Sequence, residues 1–233
     1  MTARPATGRK LKHKVFELLK SADPDLALEE LGRIPERQVI NPLFSFLYSG
    51  NEEVKWAAVT AIGVIVAKLA DKDFESARVI MRRLMWNLND ESGGIGWGSP
   101  EAMGEILARH ETLAKDYNRI LISYAREDGN FQEHELMQRG VLWGIGRLSQ
   151  ARSGLIKDAA PYIIPYLKSQ DATVRGLAAW IMGLLGVVEA YPDLEPLAED
   201  KAEIQINIDR SLIKLRVKDL ALEAIERLQD QTK

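Results

Sequence analysis

The stretch 174–183 reads VRGLAAWIMG, and the same ten-residue pattern stands three times upstream: VKWAAVTAIG at 54–63, IGWGSPEAMG at 95–104 and MQRGVLWGIG at 137–146. The closing glycines, Gly63, Gly104, Gly146 and Gly183, lie 41, 42 and 37 residues apart. A helical pattern that recurs near every 40 residues marks a solenoid of helix pairs. One such unit cannot bury its apolar face alone and must stack on its neighbours. The expected fold is therefore all-α: a right-handed α-α superhelix of about five helix pairs.

Working outward, the spacing predicts the pairs 38–48 with 52–69, 74–88 with 99–110, 113–126 with 132–149, and 155–168 with 172–188. Asp171 is the expected N-cap of the last of these helices, its carboxylate accepting a free first-turn amide. Upstream, Leu11, Val15, Leu18 and Leu19 fall at helical spacing, and Asp23-Pro24 opens a short helix ended by Gly32 and Pro35. Residues 1–9 read as a flexible tail and 10–200 as the solenoid. Beyond 200 the period changes to two: Ile204, Ile206 and Ile208, then Ile213, Leu215 and Val217, alternate with polar residues on either side of Asp209-Arg210-Ser211. That is a β-hairpin. With an amphipathic helix at 219–228, it makes 201–233 a C-terminal cap. The second strand leaves an edge through which two copies could pair as a homodimer.

Composition narrows the function classes. A net charge of −3 with 46% hydrophobic residues describes an ordinary globular chain and argues against a dedicated nucleic-acid binder. The absence of cysteine excludes disulfides, thiolate metal sites and cysteine nucleophiles. The basic start, Arg4, Arg9, Lys10, Lys12 and Lys14, has no apolar run behind it and is not a secretory signal. The longest apolar run, 57–67, falls short of the roughly 20 residues a membrane span needs. A soluble, cytoplasmic protein is expected, with no membrane partner. The histidines show no close ligand spacing, and neither a nucleophile elbow nor a dinucleotide fingerprint is present. Nothing calls for a metal or another cofactor.

Asp171, Val174, Arg175, Ala178, Met182 and Gly183 follow the pattern Asp-x-x-Val-Arg-x-x-Ala-x-x-Ala-Leu-Gly, with Ile181 in place of an alanine; Asn51, Val54, Lys55, Ala58, Ala61, Ile62 and Gly63 follow it with lysine for arginine. Pro42-Leu43 and Pro196-Leu197 match a Pro-Leu pair common in first helices, whereas Pro165 precedes a tyrosine. On these residues the chain resembles the HEAT repeat superfamily, and within it the bacterial repeats similar to phycobilin lyase HEAT-like repeats, over roughly 36–200. The resemblance implies a scaffold or adaptor, since such folds supply binding surfaces more often than chemistry. Two alternatives belong to the same superfamily: a HEAT-like DNA glycosylase acting on alkylated bases, and a chromophore-lyase-like or chaperone role. The acidic balance counts against the glycosylase, because phosphate contacts need lysine and arginine.

Positions one, five and nine of the pattern form the expected buried stripe. Positions three, seven and eleven form another row, which in similar proteins faces the concave surface. It holds Trp56; Trp97, Glu101 and Glu105; Arg139, Trp143 and Arg147; and Trp180. Two readings are open. The indoles could line a groove for a protein segment or small ligand, tryptophan and arginine being enriched at binding hot spots, or they could fill gaps between helices. The second unit breaks its own pattern: Gly93, Gly94, Gly96 and Gly98 precede Ser99-Pro100-Glu101, which restarts the helix. Free amides there could hold an anion, or the helix simply starts late. A protein partner is expected, and binding residues rather than catalytic ones.

Overall fold

The computed structural model describes residues 8–89 and 96–231. The chain divides into two compact units, Met1–Ala102 and Met103–Lys233. Each described element obeys local rules that the sequence displays. In the first unit α1 (Gly8–Leu19) and α2 (Pro24–Gly32) lead into α3 (Glu36–Phe46), α4 (Glu52–Lys72) and α5 (Phe74–Leu88), followed by the first turn of α6 (Ser99–Arg109). Residues 8 and 9, assigned above to the tail, already belong to α1. Asp23, Asn51 and Asp73 cap α2, α4 and α5, each side chain accepting an amide about one turn in, at 3.0 Å. Helix α4 is buried on nearly every side and packs against α1, α2, α3 and α5, as a helix apolar all round must.

The second unit holds the rest of α6, then α7 (Glu111–Ser123), α8 (Glu135–Arg152), the short α9 (Ala160–Ile163), α10 (Ala172–Leu185), the short α11 (Tyr191–Leu194), strands β1 (Glu203–Ile208) and β2 (Ser211–Arg216), and α12 (Val217–Gln231). The continuous helix expected over 155–168 is broken: α9 is followed by a 3-10 turn, Ile164–Lys168. Pro161 and Pro165 stand four apart, and a proline offers no amide to the carbonyl four residues back and crowds it. Pro192 and Pro196 repeat the device, so α11 too lies between 3-10 turns. By contrast α10 runs as its pattern demands, capped by Asp171 at 2.9 Å and ended by Gly186 in the left-handed region.

The closing glycines of the pattern explain how the second helices stack. A Cβ placed on Gly104 would overlap the Gly144 backbone of α8. One on Gly146 would sit within the Trp180 ring of α10, and one on Gly183 would lie 2.8 Å from the Ala224 Cα of α12. At each of these three glycines the next second helix lies too close for a side chain. The stripe of positions one, five and nine is buried wherever it is described; Ile95 lies outside the described residues.

The hairpin forms as read, antiparallel with Ile206 opposite Ile213, and Ile204 and Ile206 are buried. Asp209 and Arg210 both take positive φ, 48° and 68°, as a tight two-residue hairpin turn requires. Helix α12 is more than a lid. It packs along α10 as α10 packs along α8, so α11 and α12 form the last helix pair, with the hairpin inserted between them. Two part-buried ion pairs run along the second helices: Arg139 Nε donates to Asp171 at 3.1 Å, and Arg175 Nη2 to Asp200 at 2.7 Å.

Gly104→Ala is expected to destabilise the protein by about 2 kcal/mol, read as a lower urea midpoint. Gly154→Ala, where an added methyl meets nothing within 4 Å, should stay within about 0.5 kcal/mol of wild type. Replacing Asp209-Arg210 by Asn-Gly should raise stability by about 1 kcal/mol, because the turn then carries residues that tolerate positive φ.

Candidate functional site

Tryptophans give the first test of the row predicted to bind. Trp56, Trp143 and Trp180 are buried. The Trp56 indole N–H donates to Glu52 at 3.1 Å, with the Lys55 ammonium 4.7 Å from its ring centre. Trp143 donates to the Asn207 carbonyl of β1 at 2.7 Å, and Trp180 fills the space that Gly146 leaves open. These three therefore act as packing residues, and the expected open row of indoles is not formed by them. The exposed tryptophans are Trp97, at 43%, and Trp86, at 73%, on α5.

The charged members of the row are also placed inside pairs. Glu105 accepts from Arg109 and from Arg147, each at 2.6 Å. Arg139 holds Asp171, whose burial alone would raise its pKa; the guanidinium and the Val174 amide outweigh that and hold the carboxyl below the usual range. Asp200 is lowered likewise, against its own burial, by the Ala202 amide and Arg175. Both carboxylates therefore contribute stability that is present at neutral pH and lost as pH falls through their lowered pKa values.

Glu101 is different. The residue is 6% exposed, with Oε1 3.8 Å from the Lys55 ammonium, too far for a hydrogen bond. Lys55 is held instead by Glu52 at 2.9 Å. Among the described residues Glu101 Oε2 has no hydrogen-bond partner, and neither has Ser99 Oγ, which is fully buried two residues earlier. Burial pushes the Glu101 pKa up; Lys55 and the residue's own amide pull the other way, and Glu52 adds to the rise. Such orphaned buried oxygens are rare and costly, by about 1–3 kcal/mol each.

The local backbone explains why these atoms meet. Residues 96–98 form a turn, and Gly98 has a φ of 75°. A Cβ there would lie 2.5 Å from the Leu47 carbonyl oxygen, so a glycine is required twice over. The contact brings residues 96–101 against the end of α3, with exposed Tyr48 and exposed Trp97 as the chain neighbours of the touching pair. Gly93 and Gly94 of the anticipated anion-binding loop lie outside the described residues. In the described part, the Ser99 N–H bonds the Gly96 carbonyl and the Ala102 N–H the Gly98 carbonyl, each at 3.0 Å. Pro100 has no N–H, and Glu101 N–H bonds its own carboxylate.

Sequence reasoning missed Glu52, Lys55 and Tyr48. Lys55 carried a signal, since it stands where Arg175 stands in the fourth unit, and Arg175 reaches the acidic residue of the following segment. It also missed a concavity of about 520 Å³ in the second unit, lined by Phe131, Pro161, Tyr162, Pro165 and Tyr166. Of its two cations, Arg126 is stacked 4.4 Å from the Tyr162 ring centre and bonded twice to Asp128, at 2.9 and 2.7 Å, and Lys168 is paired with Asp193 at 2.8 Å. The described residues contain no group of three or more metal-ligating side chains, and no described helix is long and apolar enough to cross a membrane.

Because the folded state keeps a proton on Glu101 that the unfolded state gives up, stability should fall as pH rises from the ordinary glutamate pKa of about 4.5. Glu101→Gln is expected to flatten that decline and to raise the melting temperature at pH 8. Thermal unfolding between pH 4.5 and 8 measures it; parallel curves for both proteins would mean that Glu101 titrates normally.

Comparison with known proteins agrees with this architecture. The HEAT-like repeat family matches residues 135–185, the span from the first residue of α8 to the last of α10. An uncharacterized protein of Archaeoglobus fulgidus is 25% identical over 190 residues, 79% of this chain and 94% of that protein. Among solved structures, a designed armadillo repeat protein superimposes with a TM-score of 0.51 at 20% identity, over 94% of this chain and 99% of the other. A designed armadillo repeat protein in complex with the peptide (KR)4 does so with a TM-score of 0.52 at 19% identity, over the same shares. Residues 135–185 thus match a HEAT-like repeat, and the chain shares the helical-repeat fold of these designed armadillo proteins.

Proposed function

We propose that this protein is a non-enzymatic scaffold that holds an extended segment of a partner protein, and that the segment engages the start of α6 in the first unit. The observation that carries the reading is the exposed indole of Trp97, in the turn that leads into α6. A surface tryptophan is expensive to leave in water and is the residue most enriched where binding energy concentrates. A repeat protein of the same fold in complex with a peptide supports the kind of ligand. The other carboxylate of the row, Glu105, is held between two arginines, an arrangement suited to packing rather than to proton transfer.

Screening an immobilised peptide library that samples acidic, basic and apolar sequences tests this. Wild type should retain a subset, Trp97→Ala should lose at least about tenfold in affinity for it, as a hot-spot truncation does, and Trp180→Phe, a buried packing change, should bind as wild type. Retention of no peptide by the wild-type protein would end the scaffold reading.

A further inference from the structure

The two edges of the hairpin are treated differently. In an antiparallel ladder, pairs that exchange hydrogen bonds alternate with pairs whose backbone groups point away. A two-residue turn joins Ile208 to Ser211, so that pair is bonded, as are Ile206 with Ile213 and Ile204 with Leu215. Asn207 and Gln205 therefore turn their backbone groups outward from β1, and Leu212 and Lys214 turn theirs outward from β2. On the β1 side, the Trp143 indole of α8 takes the Asn207 carbonyl at 2.7 Å. On the β2 side, Asp219 takes the Arg216 amide at 2.7 Å. No other described segment bonds the outward N–H or C=O of Leu212 or Lys214.

The side chains along this edge say what would suit it. Leu212, Lys214 and Arg216 share one face of the sheet, Ile213 and Leu215 the other. Ile213 lies opposite the buried Ile206 yet is itself 37% exposed, so the apolar face of the hairpin runs out beyond the core that covers β1. Lys214 and Arg216 are exposed and form no ion pair with any described residue. Across the ladder Arg216 stands opposite Glu203, but Lys214 stands opposite the neutral Gln205. A second copy of β2 fits this edge badly. Every two-fold register that uses the outward groups brings cations level: Lys214 with Lys214, Lys214 with Arg210, or Arg216 with Arg210. Like charges directly opposite destabilise a strand pair, and a lysine on an edge guards against self-pairing. That same lysine favours a strand of opposite sign.

We propose that β2 is a docking edge for an extended acidic segment of a partner protein, which joins the hairpin as a third strand. Leu212 and Lys214 supply its backbone with two donors and two acceptors, the source of affinity in strand addition. Carboxylates set against Lys214 and Arg216 fall two residues apart, on one face of the incoming strand. The residues between them lie on the face of Ile213 and Leu215 and are apolar. The segment is thus one in which acidic and apolar residues alternate. The edge belongs to the second unit, and the proposal stands apart from the reading of Trp97.

Magnetic resonance titration with two end-capped heptapeptides tests it, one alternating glutamate with valine and the other lysine with valine. Wild type should bind the acidic peptide about tenfold more tightly than the basic one, gaining opposite-charge pairs and avoiding like-charge ones. Bound acidic peptide should slow hydrogen exchange at the Leu212 and Lys214 amides. The double variant Lys214→Glu/Arg216→Glu should reverse the preference. Leu212→Pro removes an outward donor without touching the ladder to β1 and should weaken binding at least about tenfold. The charge reversal decides the point even where the proline variant proves unstable. Trp97→Ala should bind the acidic peptide as wild type does. Equal affinity for the two peptides, no binding of the acidic one, or its loss in Trp97→Ala overturns the proposal and leaves the library test at Trp97 intact. A wild-type dimer in sedimentation that Leu212→Pro dissociates gives the edge to a second copy and overturns it as well.

Discussion

The packing of this protein depends on second helices that meet where one of them has no side chain. Gly104 faces the backbone of α8, Gly146 faces the indole of Trp180, and Gly183 faces Ala224. Removing the Cβ lets the axes approach, and close approach brings the flanking apolar rows into van der Waals contact. Much else in the second unit follows from that spacing. Arg139 and Arg175 can reach Asp171 and Asp200 only because neighbouring segments lie close, and the Trp143 N–H finds its carbonyl on β1 because the hairpin is drawn down onto α10. The proline-broken outer segments tolerate their interrupted hydrogen bonding because the second helices carry the core.

Most of this was legible in the sequence, and for physical reasons. The four-fold pattern sets the helices because its apolar period is that of an α-helix. Helix α5 falls at 74–88 as read, and the caps at Asp23 and Asp171 stand where an oxygen can meet a first-turn amide. The hairpin is equally plain, since a period of two around a polar tripeptide suits little else. What the pattern cannot convey is the identity of the residue opposite. Trp143 and Trp180 sit on a helix face that could equally look outward; only their opposition to Asn207 and Gly146 makes them interior. For the same reason α12 reads as a cap in the sequence and proves to be the second helix of a pair, because an insertion of two strands conceals its partnership with α11.

The start of α6 was legible in part. The glycines and the Ser-Pro-Glu restart announce an irregular helix entry, and Trp97, Ser99 and Glu101 could be picked out on spacing alone. Its electrostatics could not, because Glu52 and Lys55 come from the preceding repeat. The ion pairs in the second unit give the measure of the difference. There each basic residue near the start of a second helix bonds an acidic residue of the next segment at or near 3 Å. Lys55 is turned toward Glu52 instead and stops 3.8 Å from Glu101. A repeat that elsewhere closes on itself is left open at one carboxylate.

The three glycine contacts use three unlike partners, a bare backbone, an indole and an alanine. A repeat protein built from identical units could dock its helices one unit out of step at little cost, and arrays of that kind are prone to exchange segments between molecules. Here a helix that carries Trp180 and strayed against α6 would drive its ring toward a gap sized for the Gly144 backbone, and α12 in the place of α10 would leave the space beside Gly146 unfilled. Each interface thus recognises its own neighbour by shape, and the order of the helices is written into the mismatches.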